Sequence, residues 1–402
     1  MKLLIKVVRN CDNEKLTFVS GKLNFILTLD EVTDASNEFT FTLYNDYICQ
    51  LLHAKAGDGQ TKQKEGVFNV RFNRSIILLP GHYFLLFRCG NTVVRYDLQM
   101  QEKGVLKETG GRVCPRLSME DIIERRFSGK YVWKHLSTRP GLRQWKLWMI
   151  HRMQQRELNV FRSENQQWML DYCNDMLVTS NTSDGIGRDM RLLCFLTEIK
   201  NVKSCTDCTT LCKTTENPYR EVDDIFHVDD SNDNIFGIPL PDMKERQFVF
   251  YNIGKILGTD KEELLDRIMY YAPGVPNSVI FCGTEKDIAR LLEMRPELQN
   301  KIPEYNRFGT ERAGAEELIL TFFSELDLAK ASISPEAIDA VCKWMYRKYE
   351  EGEICNWSFV DVRQFIKNRL IPAYTCRAIA SIQEGCAPEE ALYIMPEDGE
   401  FF

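Results

Sequence analysis

The chain has 402 residues, 44% of them hydrophobic and 27% charged, with a formal net charge of −7. That composition is globular and leaves room for two or three domains. It lacks the basic excess of a general nucleic-acid or membrane-surface binder, and no apolar run reaches the roughly 18 residues of a membrane-spanning helix.

Residues 1–9 carry Lys6 inside a short apolar run and no small-residue cleavage site follows, which reads as a strand and not a signal peptide. Fourteen cysteines at irregular spacing fit reduced thiols and a cytoplasmic location better than a disulfide framework. Residues 1–112 as a whole read as β structure. Stretches 3–8, 16–29, 39–44, 67–72, 82–89 and 92–98 are rich in Val, Ile, Phe, Tyr and Thr. Pro80-Gly81 and Gly90-Asn91 look like hairpin turns between them. Short strands at this spacing predict a small all-β sandwich, with 54–65 as a solvated loop. No catalytic constellation falls here, so a binding or assembly module is expected.

Residues 105–118, with Gly110, Gly111 and Pro115, read as a linker. After it the pattern becomes helical. Ser118 and Asp121 make a capping-box-like start. Leu142, Trp145, Met149, Met153 and Val160 mark one face of a helix over 141–161. The apolar run 176–178 predicts a buried strand, followed by a small polar loop with two glycines and an apolar segment, 190–196, that could start a helix. Strand, loop and helix in that order aim backbone N–H groups and a helix N-terminus at an anion.

Thr259 and Glu262 form a capping box ahead of a helix carrying Leu264, Leu265, Ile268 and Met269. Residues 279–282 predict a buried strand, and Thr284 with Asp287 caps the next helix, which bears Ile288, Leu291 and Leu292. From Gly314 onward the chain reads as all helical. Ser334 is an N-cap with Pro335 at the first helical position. A last helix begins near Pro388, before an acidic and aromatic tail.

From about Gly141 onward these motifs resemble, in order, the AAA+ clade that includes the red-type rubisco activases and the ATPases of type VII secretion. Gly141-Leu142 followed by Lys146 looks like the helix before that clade's P-loop. Residues 176–189 look like its first strand and Walker A loop, and Ile-Phe-His-Val-Asp-Asp at 225–230 like its Walker B strand. Val-Ile-Phe-Cys-Gly-Thr at 279–284, Asp287, Arg295-Pro296-Glu297-Leu298 and the apolar end at Phe308 resemble the stretch that leads to its arginine finger. Val362-Arg363 resembles the Val-Arg of the sensor 2 helix, and 388–398 its closing helix and Asp.

The resemblance implies a multidomain chain in three parts. Residues 1–112 would be a β-sandwich-like domain, 113–312 an AAA+ P-loop-type α/β domain with a parallel sheet, and 313–402 a helical lid. It further implies ATP or ADP with Mg²⁺ held between the subunits of a ring.

A working P-loop reads Gly-x-x-x-x-Gly-Lys-Ser/Thr, the Lys on the β and γ phosphates and the hydroxyl on Mg²⁺. The matching window keeps Gly185 and Gly187, but Thr182 replaces the first Gly, Arg188 the Lys and Asp189 the Ser/Thr, and Asp184 adds a second acid. Arginine's planar fork does not substitute for a compact ammonium. A carboxylate about 4 Å from a phosphate oxygen is opposed by about 4 kcal/mol at an effective dielectric near 20. In the Walker B match Asp229 would hold Mg²⁺ through water, and Asp230 stands one methylene short of the usual catalytic Glu. Lys301 stands at the finger position, and Arg363 lies near the sensor 2 arginine position.

The candidate nucleotide-binding set is therefore Asp184, Gly185, Gly187, Arg188, Asp189 and Arg363, and the candidate catalytic set Asp229, Asp230 and Lys301. Cys205, Cys208 and Cys212, with Cys194 or His227 as a fourth ligand, lack a second cysteine pair, so reduced thiols are expected and not zinc.

The expected function is an AAA+-like pseudo-ATPase, a structural or regulatory subunit of a protein assembly. Its partners would be copies of itself or an active AAA+ relative, with no nucleic acid and no membrane insertion. Two alternatives stand beside it: an active AAA+ ATPase that remodels a protein client, and a β-domain adaptor without nucleotide. A chain without a parallel sheet across 170–285 would select the adaptor.

Overall fold

The computed structural model describes residues 2–9, 19–28, 38–56, 61–64, 67–71, 76–101, 106–173, 175–180, 202–207, 247–259, 262, 278–387 and 391–401. The chain divides into two compact units, Met1–Arg143 with Arg312–Phe402, and Gln144–Glu311.

The N-terminal part of the first unit holds two five-stranded antiparallel sheets. One contains β1 (Lys2–Arg9), β2 (Val19–Thr28), β5 (Thr61–Lys64), β6 (Val67–Arg71) and β7 (Ile76–Leu78). The other contains β3 (Phe39–Asn45), β4 (Gln50–Lys55), β8 (Gly81–Cys89), β9 (Thr92–Met100) and β10 (Leu106–Val113), in the order β10-β9-β8-β3-β4. Phe41, Leu43, Leu85, Phe87, Val94, Tyr96 and Leu98 bury one face of this second sheet. The β8–β9 hairpin turns at Gly90, whose φ of 56° a side chain would resist.

Two stretches depart from expectation. The solvated loop over 54–65 is partly strand: β4 runs to Lys55 and β5 spans 61–64. The linker over 105–118 is mostly β10, an edge strand paired to β9 with a bulge between Glu108 and Gly110. An edge strand needs no apolar run, and the glycines that suggest a linker sit at the bulge. A Cβ at Gly111 would come 3.1 Å from the Tyr96 ring.

Ser118 Oγ accepts the Asp121 N–H and starts α1 (Met119–Ile122), which passes into a π turn at Ile123–Phe127 and then α2 (Tyr131–Ser137). These elements meet β3 and β4 through a buried polar network. Tyr44 Oη lies 2.6 Å from Ser128 Oγ and accepts from Trp133 Nε1 at 3.3 Å. The Gln50 N–H donates to Ser137 Oγ, and Gln50 Oε1 accepts the Gly129 N–H. Thr40 Oγ1 donates to the buried carboxylate of Glu124.

The second unit holds α3 (Arg143–Glu164, whose first residue closes the first unit's opening segment) and an all-parallel sheet of β11 (Met176–Thr179), β12 (Val202–Asp207), β13 (Gln247–Tyr251), β14 (Ser278–Gly283) and β15 (Arg307–Gly309). The order is β12-β13-β14-β11-β15, so the first strand lies between the fourth and the fifth. Strands covered on both faces read as continuous apolar runs, as Met176-Leu177-Val178 and Val279-Ile280-Phe281-Cys282 do. β12, the outermost strand among the described residues, has no such run to signal it. This sheet crosses 170–285 and removes the condition that selects the adaptor reading. α4 (Glu285–Met294) and α5 (Glu297–Lys301) follow β14.

Back in the first unit come α6 (Ala315–Leu328), α7 (Pro335–Glu350), α8 (Phe359–Phe365), a π turn at Ile366–Leu370 and α9 (Ile371–Gln383). Leu318, Phe322, Val341, Met345 and Val362 form their core, which Leu79 joins. Ser334 Oγ caps α7, with Pro335 in its first turn. The expected all-helical end is corrected by a small parallel pair, β16 (Ser332–Ile333) and β17 (Tyr393–Ile394), which folds the tail back. Residues 388–390, where a last helix was expected to begin, lie outside the described residues.

Candidate functional site

Ligands of open parallel sheets bind beyond the carboxyl ends of the strands, where the strand order reverses. Here that point is β11, flanked by β14 and β15. The chain is held in register up to its exit: the Ser180 N–H donates to Gly283 O and the Thr310 N–H to Thr179 O, both at 2.9 Å. Gly309 packs so closely that a Cβ would lie 1.9 Å from Thr179 Oγ1. The carboxyl end of β11, up to Ser180, is therefore fixed at the switch point of the sheet.

The neighbouring exits are equally fixed. After β14, Thr284 and Asp287 form a reciprocal cap: Thr284 Oγ1 donates to Asp287 Oδ2 at 2.7 Å, and the Asp287 N–H returns to Thr284 Oγ1 at 3.2 Å. The turn Ile253–Lys255 after β13 packs on that carboxylate, where a Cβ on Gly254 would come 1.9 Å from Asp287 Oδ1.

Asp184, Gly185, Gly187, Arg188, Asp189, Asp229 and Asp230 lie outside the described residues. Lys301 and Arg363 are described. Lys301 ends α5 and its Nζ pairs with Asp175 Oδ2 at 2.8 Å. Asp175 immediately precedes β11, so Lys301 sits at the amino edge of the sheet. The four residues of β11 set it roughly 13 Å from the carboxyl edge at about 3.3 Å per residue. Arg363 lies on α8 of the other unit, 55% exposed, with Nε 3.7 Å from Glu325 Oε2.

Sequence reasoning missed Asp175. Its Oδ1 accepts the Val279 N–H at 2.8 Å, so one buried carboxylate organises the starts of β11 and β14. The only signal was an acid directly ahead of an apolar run. Nearby, the Cys173 Sγ–H donates to Lys301 O, and burial pushes the thiol's pKa up. Cys205 falls on β12, while Cys194, Cys208, Cys212 and His227 lie outside the described residues. Among the described residues no group of three His, Cys, Asp or Glu side chains is placed to hold a metal, and no helix is long and apolar enough to cross a membrane.

No protein-family model matches the sequence. No curated protein matches it either. Similar solved structures include a point mutant of RuvB from Thermotoga maritima, at TM-score 0.35 and 10% identity, covering 63% of this chain and 68% of that one. ORC2 of Aeropyrum pernix, solved as ADPNP and ADP complexes, gives TM-score 0.37 and 10% identity over 62% of this chain and 66% of that one. Likeness at this level carries no conclusion about activity.

Proposed function

We propose that the chain is an AAA+-like pseudo-ATPase serving as a structural or regulatory subunit of a protein assembly. One observation carries the reading: the first strand of an all-parallel sheet stands at the switch point and feeds a phosphate-loop-like segment. The donor set of that segment does not fit a magnesium nucleotide. In the P-loop register of the sequence, Asp184 and Asp189 add carboxylates to a phosphate-binding pattern, and the Lys and Ser/Thr of a working loop are replaced by Arg188 and Asp189. No hydrolytic step is therefore assigned to Asp229, Asp230 or Lys301.

The place of Lys301 supports the same reading. It sits at the amino edge, roughly 13 Å from the carboxyl end of β11 at about 3.3 Å per residue, so a finger role is considered only toward a neighbouring subunit. There it would first have to leave Asp175. The net charge of −7 favours proteins over nucleic acid as partners.

Calorimetry of the whole chain with ATP and ADP, with and without Mg²⁺, tests the proposal. Absence of heat at millimolar nucleotide supports it. Micromolar, magnesium-dependent binding with phosphate release that Asp229→Ala abolishes would replace it with the active ATPase. A chain that stays monomeric in sizing experiments, alone and with AAA+ candidates, would count against the assembly role.

A further inference from the structure

Beyond α3 the chain doubles back along its own helix. Gln166 adopts a φ of 57°, and the Gln167 N–H closes onto Arg162 O at 2.8 Å. The following residues are then pinned by side chains acting in place of a neighbouring strand. Asn159 donates from Nδ2 to Leu170 O and accepts the Leu170 N–H on Oδ1, both at 2.8 Å. Arg162 Nε donates to Trp168 O at 2.9 Å.

A residue whose N–H and C=O both meet one partner presents them as a strand does, and the groups of its neighbours face the opposite way. Met169 and Asp171 therefore aim their backbone groups away from α3, and neither backbone hydrogen-bonds to any described residue. The side chains are as open as the backbone: Trp168 is 92% exposed and Met169 68%.

We propose that residues 168–171 form a strand-addition site for an extended segment of a partner protein. That segment carries apolar residues over Trp168 and Leu170 and a basic residue facing the exposed carboxylate of Asp171. An unpaired row of N–H and C=O groups is a template for another strand. Natural edges are blunted by lysine, proline or a covering loop; residues 168–171 contain no lysine or proline, and among the described residues none hydrogen-bonds to the backbone of Met169 or Asp171. Because Asn159 and Arg162 already fix the segment, binding costs little ordering on this side.

Size argues for a short segment and against a second copy. Trp168 offers roughly 200 Å², and four residues fall well short of the roughly 800 Å² per partner of a stable dimer. The negative charge beside the edge selects a cation in the partner. The site lies on the second unit and does not depend on whether nucleotide binds.

The test uses the full chain and an array of hexapeptides with Val, Ile or Tyr at alternate positions, Thr between them and one Lys. Saturable binding, followed by fluorescence anisotropy, is expected for members of the array. It should weaken at least tenfold when the two amides on the pairing edge are N-methylated, and similarly in Met169→Pro, which removes an outward N–H. Trp168→Ala should weaken it by about tenfold. The N-methyl comparison uses unaltered protein, so it stands even if Met169→Pro fails to fold. Silence across the whole array, or equal binding of the N-methylated peptides, overturns the proposal. So does self-association that Met169→Pro abolishes and the peptides do not compete, which gives the edge to a second copy.

Discussion

Asp175 and Lys301 meet at 2.8 Å, tying the residue ahead of β11 to the last residue of α5. The same carboxylate takes the Val279 N–H on its other oxygen. Asn306 extends the arrangement, donating from Nδ2 to Cys173 O and Asp175 O and accepting from Trp148 Nε1, each at 2.9 Å. The amino edge of the parallel sheet is thus a polar frame with one carboxylate at its centre.

The two partners are unequal in this frame. The Asp175 side chain is 8% exposed and the Lys301 side chain 32%. Removing the lysine leaves a carboxylate that still has a backbone donor and some access to water. Removing the carboxylate strands both the Val279 N–H and the lysine. Asp175→Ala should therefore cost about 2–4 kcal/mol and Lys301→Ala about 1 kcal/mol. Urea unfolding of the two variants measures the difference, and a larger cost for Lys301→Ala would show that the frame does not centre on Asp175.

A second prediction concerns the network under β3. Burial, with the Glu124 charge adding to it, holds the Tyr44 phenol well above its ordinary pKa, so it stays protonated. Its oxygen serves Ser128 and Trp133 together. Tyr44→Phe keeps the ring, which stacks on Phe84 at 5.2 Å, but leaves the Trp133 N–H without its acceptor. The expected cost is about 1–3 kcal/mol by chemical denaturation. Tyr83→Phe, which loses a single bond to Leu79 O, should cost less. A neutral Tyr44→Phe would mean that the network is dispensable.

How much of this was legible in advance depended on whether a residue's role was local. Thr284 with Asp287, and Ser334 with Pro335, announce helix starts because capping is settled within three residues, and both caps form. The runs at 176–178 and 279–282 announce buried strands for a similar reason. β10 was hidden because an edge strand can be polar, and its glycines imitate a linker. Asp175 was hidden because its meaning lies in Val279 and Lys301, both more than a hundred residues away. Of the candidate site, only Lys301 and Arg363 fall on described residues, and they sit in different units.

Glu124 gives a pH dependence with a definite sign. Burial is the largest influence on it and raises its pKa above the ordinary 4.5, with Thr40, Ser128 and Thr42 hydrogen bonds and the Arg88 charge acting the other way. The folded state thus binds this proton more tightly than the unfolded chain does. Its contribution is fully present below about pH 4.5 and is lost as pH rises through the folded-state value. Glu124→Gln removes the titration, so between pH 5 and 8, a window of about three units, its stability should fall less steeply than that of the parent. Unfolding midpoints across that range test it, and parallel curves would rule out a raised Glu124.

The final prediction reverses the loop chemistry. If Arg188 and Asp189 are what deny a phosphate its seat, Arg188→Lys with Asp189→Thr should restore one, because the double change returns a compact ammonium and a magnesium-binding hydroxyl to the segment that follows β11 in sequence. Relief of one like-charge contact of about 4 kcal/mol corresponds to up to about three decades in affinity. Even with Asp184 still in place, calorimetry should register at least a tenfold gain for ATP with Mg²⁺. The gain should vanish when Asp229→Ala is added, since the metal then loses the carboxylate that would hold it beside the restored hydroxyl. A double variant that folds like the parent and binds nucleotide no better would mean that this loop does not present its backbone to a phosphate at all, and the AAA+ reading of residues 176–189 would fail with it.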